Sequence, residues 1–168
     1  MGMQTDVKQA HLNQSGFFVL GRYRVKGVSF NGASGTIVLF DTTTAPVSAS
    51  VTYGRSGNTV TVSKTGHGLQ TGAFIGIHFA TGSGGAATDG NYQITRINAD
   101  SFSITDINSG TITGTPAAVY APAWLLTYET LAADDFQNSP FIPGEGVLAQ
   151  SGIYGYMSGI DTAQIYYG

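Results

Sequence analysis

The amino-acid sequence predicts an all-β fold: a jelly-roll-like host β-sandwich with a small β-barrel or sandwich module inserted in one of its loops. Three observations lead to this prediction. Apolar and polar residues alternate with period two from residue 17 onward, and no convincing stretch repeats at the helical period. Glycine-bearing turns separate the alternating runs. The runs on either side of residues 47–119 are too few to complete a sandwich alone, but together they supply about seven strands.

The composition limits the classes of function that the chain can have. Charged residues make up 10% of the 168 residues, against roughly 25% in ordinary soluble domains. A surface with so little charge suits a protein surrounded by neighbours. The net charge of −3 argues against nucleic acid as the main partner. The absence of cysteine excludes disulfides, thiolate zinc sites and cysteine nucleophiles.

Neither a membrane partner nor a signal peptide is expected. No apolar run approaches the roughly 18 residues that span a bilayer. The residues after Met1 lack the basic-then-apolar pattern of a signal peptide. We therefore expect a protein that is made and kept in an aqueous compartment.

The predicted organisation has three parts. Residues 1–16 are polar and unpatterned, with room for one helical turn over 6–12, and we interpret them as an N-terminal arm. The host β-sandwich combines residues 17–46 with residues 120–168. The inserted β-module covers residues 47–119, because exposed loops are where folds tolerate insertions.

The first strands of the host follow the arm directly. The apolar run 17–20 predicts a strand, and the alternation from Arg22 to Lys26 predicts another. That alternation breaks at Gly27, as a β-bulge at glycine would cause. Residues 36–40 are apolar on both faces, which predicts a strand that is buried on both sides.

The module and the second flank show the same period-two pattern. In the module, strands are predicted around four pairs or triplets of apolar residues, namely Val60 and Val62; Ile75, Ile77 and Phe79; Tyr92 and Ile94; and Phe102 and Ile104. In the second flank, alternation begins at Trp124, and short strands are predicted over 147–149, 153–157 and 163–167.

Two parts of the chain resemble bacteriophage virion proteins. Residues 58–106 contain three strings in order, which are His67-Gly68-Leu69-Gln70-Thr71-Gly72, Gly90-Asn91-Tyr92-Gln93-Ile94-Thr95 and Asp100-Ser101-Phe102-Ser103-Ile104. They resemble the "xHGLxTGD", "GxYxVT" and "DxNTFTI" pattern of a small β-module that recurs in such proteins. Ala73 stands where that pattern has an acidic residue, and the loop 81–85 is longer. Residues 143–168 resemble the ending of short phage head-associated proteins.

The resemblance implies a virion structural protein that works by binding. The leading expectation is a capsid decoration, or cement, protein that binds the major capsid protein and stabilises the head lattice as a homo-oligomer, with a trimer favoured. It would be located on the capsid surface of the virion and assembled in the host cytoplasm. Two alternatives stay open: a structural protein of the tail or fibre base, and a carbohydrate-binding module with Thr- and Asn-rich loops.

The candidates for chemistry each have a simpler structural interpretation. His67 lies between two glycines, where its ring is expected to cap backbone groups of a turn. His78 is expected to be exposed or packed beside Phe74. The glycine-rich loop 81–85 lacks the lysine of a phosphate loop. Asp134 and Asp135 are adjacent, so in an extended chain they point to opposite faces. We therefore expect no enzyme, no metal site and no cofactor.

Two sets of residues are candidates for partner binding. Three of the seven cations fall on one face of a predicted strand, namely Arg22, Arg24 and Lys26. They form either a docking surface or a solvated edge guarded by charge. Tyrosine suits half-wet interfaces, and four tyrosines lie on the last two strands, namely Tyr154, Tyr156, Tyr166 and Tyr167.

Overall fold

The computed structural model describes residues 7–132, 137–138, 142 and 144–168. The regular structure in them is β-strand in several antiparallel sheets, so the predicted all-β fold is confirmed and agrees with a β-sandwich. Within the described residues no helix is long and apolar enough to cross a membrane. These residues divide into two compact units, a first unit of Met1–Ala45 with Leu126–Gly168 and a second unit of Pro46–Leu125.

The strands follow one another along the chain with short turns between most of them. In chain order they are β1 (Lys8–Leu12), β2 (Gly16–Leu20), β3 (Tyr23–Asn31), β4 (Gly35–Asp41), β5 (Thr52–Ser63), β6 (Phe74–Phe79), β7 (Gly90–Gln93), β8 (Thr95–Arg96), β9 (Ser101–Ile112), β10 (Ala118–Ala121), β11 (Trp124–Leu131), β12 (Gln137–Asn138), β13 (Val147–Ala149), β14 (Gly152–Ser158) and β15 (Thr162–Tyr167).

The first unit is built from two sheets. One has the order β1-β15-β3, with β12 and β13 both pairing with β3, and the other has the order β11-β4-β14-β2. Strands from both sides of the second unit therefore pair directly, as β3 does with β15 and β4 with β14. The core of this unit takes side chains from both sheets, including Val28, Phe30, Leu39, Ile153 and Ile165. Burying these apolar side chains is the main stabilising contribution to the unit.

Strand β4 is buried on both faces, as its apolar run predicts. Ile37 and Leu39 belong to the core of the first unit. Val38 and Phe40 point to the other face and are also fully buried. The sheet β11-β4-β14-β2 is therefore covered on both faces at this strand.

The predicted N-terminal arm is corrected for residues 8–12, which form β1 and pair with β15 from Lys8↔Tyr167 to Leu12↔Ala163. The expected helical turn over 6–12 is therefore wrong. Ala10 and Leu12 pack against the core, whereas His11 between them is exposed. This period-two pattern is that of a strand with one buried face. Residues 1–6 of the predicted arm lie outside the described residues.

The second unit has two three-stranded sheets, β10-β6-β7 and β5-β9-β8. Its core includes Val60, Val62, Ile77 and Phe102, which the alternation placed inward. The predicted end of the module at residue 119 differs from the structure, because β10 continues to Ala121 and pairs with β6. The strand stops immediately before Pro122, which lacks the backbone N–H that a continuing ladder would need.

Candidate binding surfaces

The three predicted cations lie at the start of β3. Arg22 is exposed in the bend before the strand, whereas Arg24 and Lys26 are half-buried within it. Val25 between them is fully buried in the core. The register between β3 and β15 shifts here, since Tyr167 pairs with Val25 and Tyr166 with Gly27, which leaves Lys26 as the extra residue of a bulge. The bulge that the sequence predicted beside Gly27 is therefore present.

A neighbouring loop of the same unit already binds two of these cations. The Arg22 Nε donates to Gln150 Oε1 at 3.0 Å. The Arg24 guanidinium donates to the Gly146 carbonyl oxygen at 3.4 Å, and its Nε lies 3.8 Å from a Glu145 carboxylate oxygen. The Glu145 side chain is 86% exposed, so this ion pair contributes little stability. The charges are thus oriented by the loop but stay accessible to a partner.

Two residues, Gly146 and Asp41, allow this loop to lie close to β3. A Cβ at Gly146 would clash with the carbonyl oxygen of Val25, and the residue has a φ of +79°. Only glycine adopts this φ without strain and leaves room for the Val25 carbonyl oxygen. The carboxylate of the buried Asp41 accepts hydrogen bonds from the backbone N–H groups of residues 150, 151 and 152. Asp41 therefore fixes the turn that carries Gln150 to Arg22.

The four predicted tyrosines do not form one surface. Tyr154 and Tyr156 alternate with core residues of β14 and lie on the outer face of its sheet, beside the buried Phe40 and Val38. Tyr154 also packs edge-on against Phe17, with ring centroids 4.9 Å apart. On β15, in the other sheet, Tyr167 turns inward and packs edge-on against Tyr23 at 5.1 Å. Only Tyr166 is exposed.

Tyr166 shares its sheet face with the cations. It pairs with Gly27 on the neighbouring strand, next to the bulge that contains Lys26. Its neighbours Ile165 and Tyr167 point into the core or pack against it, so Tyr166 points outward. We call the outward surface formed by Arg22, Arg24, Lys26 and Tyr166 the basic face. Tyrosine and arginine are both enriched at protein interfaces, and this face contains one exposed tyrosine and two arginines.

Both histidines of the second unit have structural roles. The His67 Nδ1 accepts a hydrogen bond from the Leu69 N–H at 3.1 Å, and its Nε2 lies 3.0 Å from the Asn98 carbonyl oxygen. It caps a turn, as predicted. The expected exposure of His78 is wrong, because its ring is largely buried and its Nδ1 lies 2.5 Å from an Asp89 carboxylate oxygen. Asp89 also accepts from the Phe79 N–H and so ties its loop to β6.

A buried ion pair in the second unit was not predicted from the sequence. The Arg55 Nη1 donates to Asp106 Oδ2 at 2.8 Å, and the two side chains are 8% and 0% exposed. Asp106 also accepts hydrogen bonds from the backbone N–H groups of Thr88 and Asn108. Burial by itself raises the pKa of the Asp106 carboxyl, but hydrogen bonds from Thr88, Asn108 and Arg55 lower it, to about 2. The carboxylate is therefore charged at any ordinary pH.

An exposed aromatic pair was also missed. Phe74 and Trp124 are each more than half exposed, and their rings stack within 27° of parallel at a centroid distance of 6.0 Å. The amide of Asn91 holds the chain beside Trp124 by bonding the N–H and the carbonyl oxygen of Leu125. This pair was not predicted, because the residues around Phe74 and Trp124 in the sequence do not indicate that the two side chains are exposed.

The remaining candidates contribute no site. In the glycine-rich loop 81–85, Gly82 and Gly85 exchange backbone hydrogen bonds, and the Thr113 N–H donates to the Ser83 carbonyl oxygen. The loop is therefore closed by its own backbone. Asp134 and Asp135 lie outside the described residues.

Comparisons of the chain with protein-family models, with curated proteins and with solved structures found no match.

Proposed function

We propose that the protein is a phage virion structural protein of the capsid decoration, or cement, type. It binds the major capsid protein through protein–protein contacts, stabilises the head lattice and acts as a homo-oligomer, with a trimer favoured. It performs no catalysis and needs no cofactor. Its place of action is the capsid surface of the virion.

The observation that carries this proposal is the set of three phage-like strings in residues 58–106. They lie in the turn after β5, on β7 and at the start of β9. Their polar groups are used to hold the turns: His67 caps its own turn, and the Asp100 carboxylate accepts from the Gly66 N–H at 2.9 Å. Side chains that hold turns stabilise a fold rather than carry out a reaction, which supports a structural role for this module.

The basic face gives the proposal a docking surface. Two of its three cations, Arg22 and Arg24, are held in place by the loop that carries Glu145 and Gln150, so these two side chains lose little freedom on binding. A capsid surface with acidic groups would be attracted to it from a distance, which raises the association rate more than the final affinity. This face holds three of the seven cations of the chain, which makes it the electrostatic guide to orientation.

The test of docking uses a matched pair of double variants. We expect R22Q/K26Q to lower the occupancy of this protein on purified particles several-fold, and more strongly at low than at high salt, because salt screens exposed charges. Arg24 is kept, since it pairs with Glu145. The control K64Q/R96Q removes the same charge from the second unit and should leave occupancy unchanged. The measurement is the amount bound to particles that lack the protein, across salt concentrations. Equal occupancy for both variants and the wild type would contradict docking through the basic face.

A further inference from the structure

A polar cleft lies within the second unit, apart from the basic face. Its volume is about 340 Å³, and its lining consists of three serines, two threonines, an asparagine, a lysine and an aspartate. Small-molecule sites begin at roughly 300 Å³, so the cleft is large enough for a small ligand. Such sites are mostly apolar, whereas here every lining side chain carries an oxygen or a nitrogen.

The cleft exists because β5 bends back on itself. A straight strand of this length would separate its ends by about 36 Å. The Lys64 Nζ, directly after the strand, nevertheless donates to the carbonyl oxygen of Ala49, three residues before the strand begins, at 2.8 Å. The register between β5 and β9 shifts between Gly57 and Thr59, and Gly57 has a φ of +61°. Both ends of β5 therefore contribute walls to the same cleft.

The third wall is a turn that is fixed by its own hydrogen bonds. The Asp100 N–H donates to Asn98 Oδ1 at 2.8 Å, and the Asp100 carbonyl oxygen accepts from the Lys64 N–H at 2.9 Å. Asp100 Oδ1 accepts from the Gly66 N–H. Among the hydrogen bonds of the described residues, none uses Asp100 Oδ2. The carboxylate is thus positioned with acceptor capacity left over.

Backbone strain is found at the rim of this cleft. Ser50 has a φ of +56°, a conformation that costs a residue with a side chain of order 1–3 kcal/mol. Such strain persists where the surrounding structure requires it, and it occurs preferentially at ligand sites. Ser50 lines the cleft, and the carbonyl oxygen of the adjacent Ala49 accepts the hydrogen bond from Lys64.

We infer that this cleft binds a neutral saccharide. Sugar hydroxyls both donate and accept hydrogen bonds, and the lining offers both: serine and threonine hydroxyls, the Asn98 amide, the Lys64 ammonium and the Asp100 carboxylate. One positive and one negative side chain line the cleft, so its net charge is zero and favours neither an anion nor a cation. A neutral polyol satisfies both charges with hydrogen bonds, and charge-assisted hydrogen bonds are stronger than neutral ones.

The test is a titration of the full-length protein, followed by the backbone amide signals in NMR. The probes are the methyl glycosides of glucose, galactose, mannose and N-acetylglucosamine, with inorganic phosphate as the anion probe. We expect at least one glycoside to cause saturable shifts at residues 63–65 and 98–101, and phosphate to cause none. Saturable shifts with phosphate alone, or no saturable shift with any glycoside, would overturn the inference.

Variants show whether the cleft itself is responsible. K64M keeps the aliphatic stem but removes the ammonium, and T65V removes an exposed hydroxyl at nearly constant shape. Each should weaken glycoside binding, K64M roughly tenfold because a charged donor is lost. The control T105V makes the same change as T65V on the exposed residue Thr105 of β9, outside the cleft, and should bind like the wild type. Binding that survives K64M and T65V, or shifts that centre on Phe74 and Trp124, would assign the sugar elsewhere. Docking to particles is measured separately, so the inference of saccharide binding and the proposed function can each fail without the other.

Discussion

Replacing Asp106 with alanine is expected to lower the free energy of unfolding by about 3–5 kcal/mol, the range found when one partner of a buried ion pair is removed. The Asp106 side chain is fully buried, and its loss would leave the Arg55 guanidinium in the interior without its counter-charge. It would also remove the acceptor for the Thr88 and Asn108 N–H groups. Urea unfolding of the variant and the wild type measures the difference.

Acid should also lower the free energy of unfolding, but by less than the D106A substitution does. The pKa of Asp106 is lowered from 3.8 to about 2 in the folded protein. The unfolded chain therefore takes up this proton more readily, so the contribution of Asp106 to stability is fully present above pH 4 and is lost as pH falls from about 4 to 2.

The control for D106A is D161A, which removes an exposed carboxylate and should change stability by less than about 0.5 kcal/mol. A D106A variant as stable as D161A would show that the buried ion pair does not stabilise the second unit.

In the first unit, replacing Asp41 with alanine is expected to cost about 2–4 kcal/mol. Asp41 is 4% exposed, and its carboxylate accepts hydrogen bonds from the N–H groups of Gln150, Ser151 and Gly152 at 2.7, 2.8 and 3.2 Å. Each buried donor that loses its partner costs roughly 1–3 kcal/mol, reduced where water enters. The change should also release Gln150 from its position beside Arg22 and so weaken docking through the basic face.

The matched variant for this position is D41N, which keeps one acceptor oxygen. It should retain part of the stability that D41A loses, because Oδ1 alone accepts from Ser151 and Gly152. Burial by itself raises the pKa of Asp41, but hydrogen bonds from Ser151, Gln150 and Gly152 lower it overall. Its contribution is therefore also lost in acid. D41A and D41N of equal stability to the wild type in urea would contradict this role.

Period-two alternation was sufficient to predict most strands and their buried faces. The run that forms β4 and the bulge beside Gly27 could both be read from apolar spacing and one glycine. β1 was missed because its signal is only Ala10 and Leu12 in a polar segment. Helical and strand patterns are hard to separate over so few residues.

The candidate binding surfaces could be predicted only in part, because they depend on contacts between residues that are distant in sequence. Alternation gives the face of a strand but not the sheet to which the strand belongs, so Tyr154 and Tyr166 were grouped although they lie on different sheets. Asp41 follows the apolar run 37–40 and Asp106 lies between Thr105 and Ile107, and neither has a charged residue next to it in sequence. Their burial depends on donors that are far away in sequence, such as Gln150 for Asp41. No local pattern reports such partners.

A density map of the purified virion, with this chain placed in it, tests the proposed function most directly. We expect β density for both units at symmetric positions on the head lattice, three copies to a site, with the basic face of each copy against the major capsid protein. Density for this chain in the tail or fibre base would contradict a capsid decoration protein and favour the tail alternative. Virions that contain no copy of the chain would contradict a virion protein altogether.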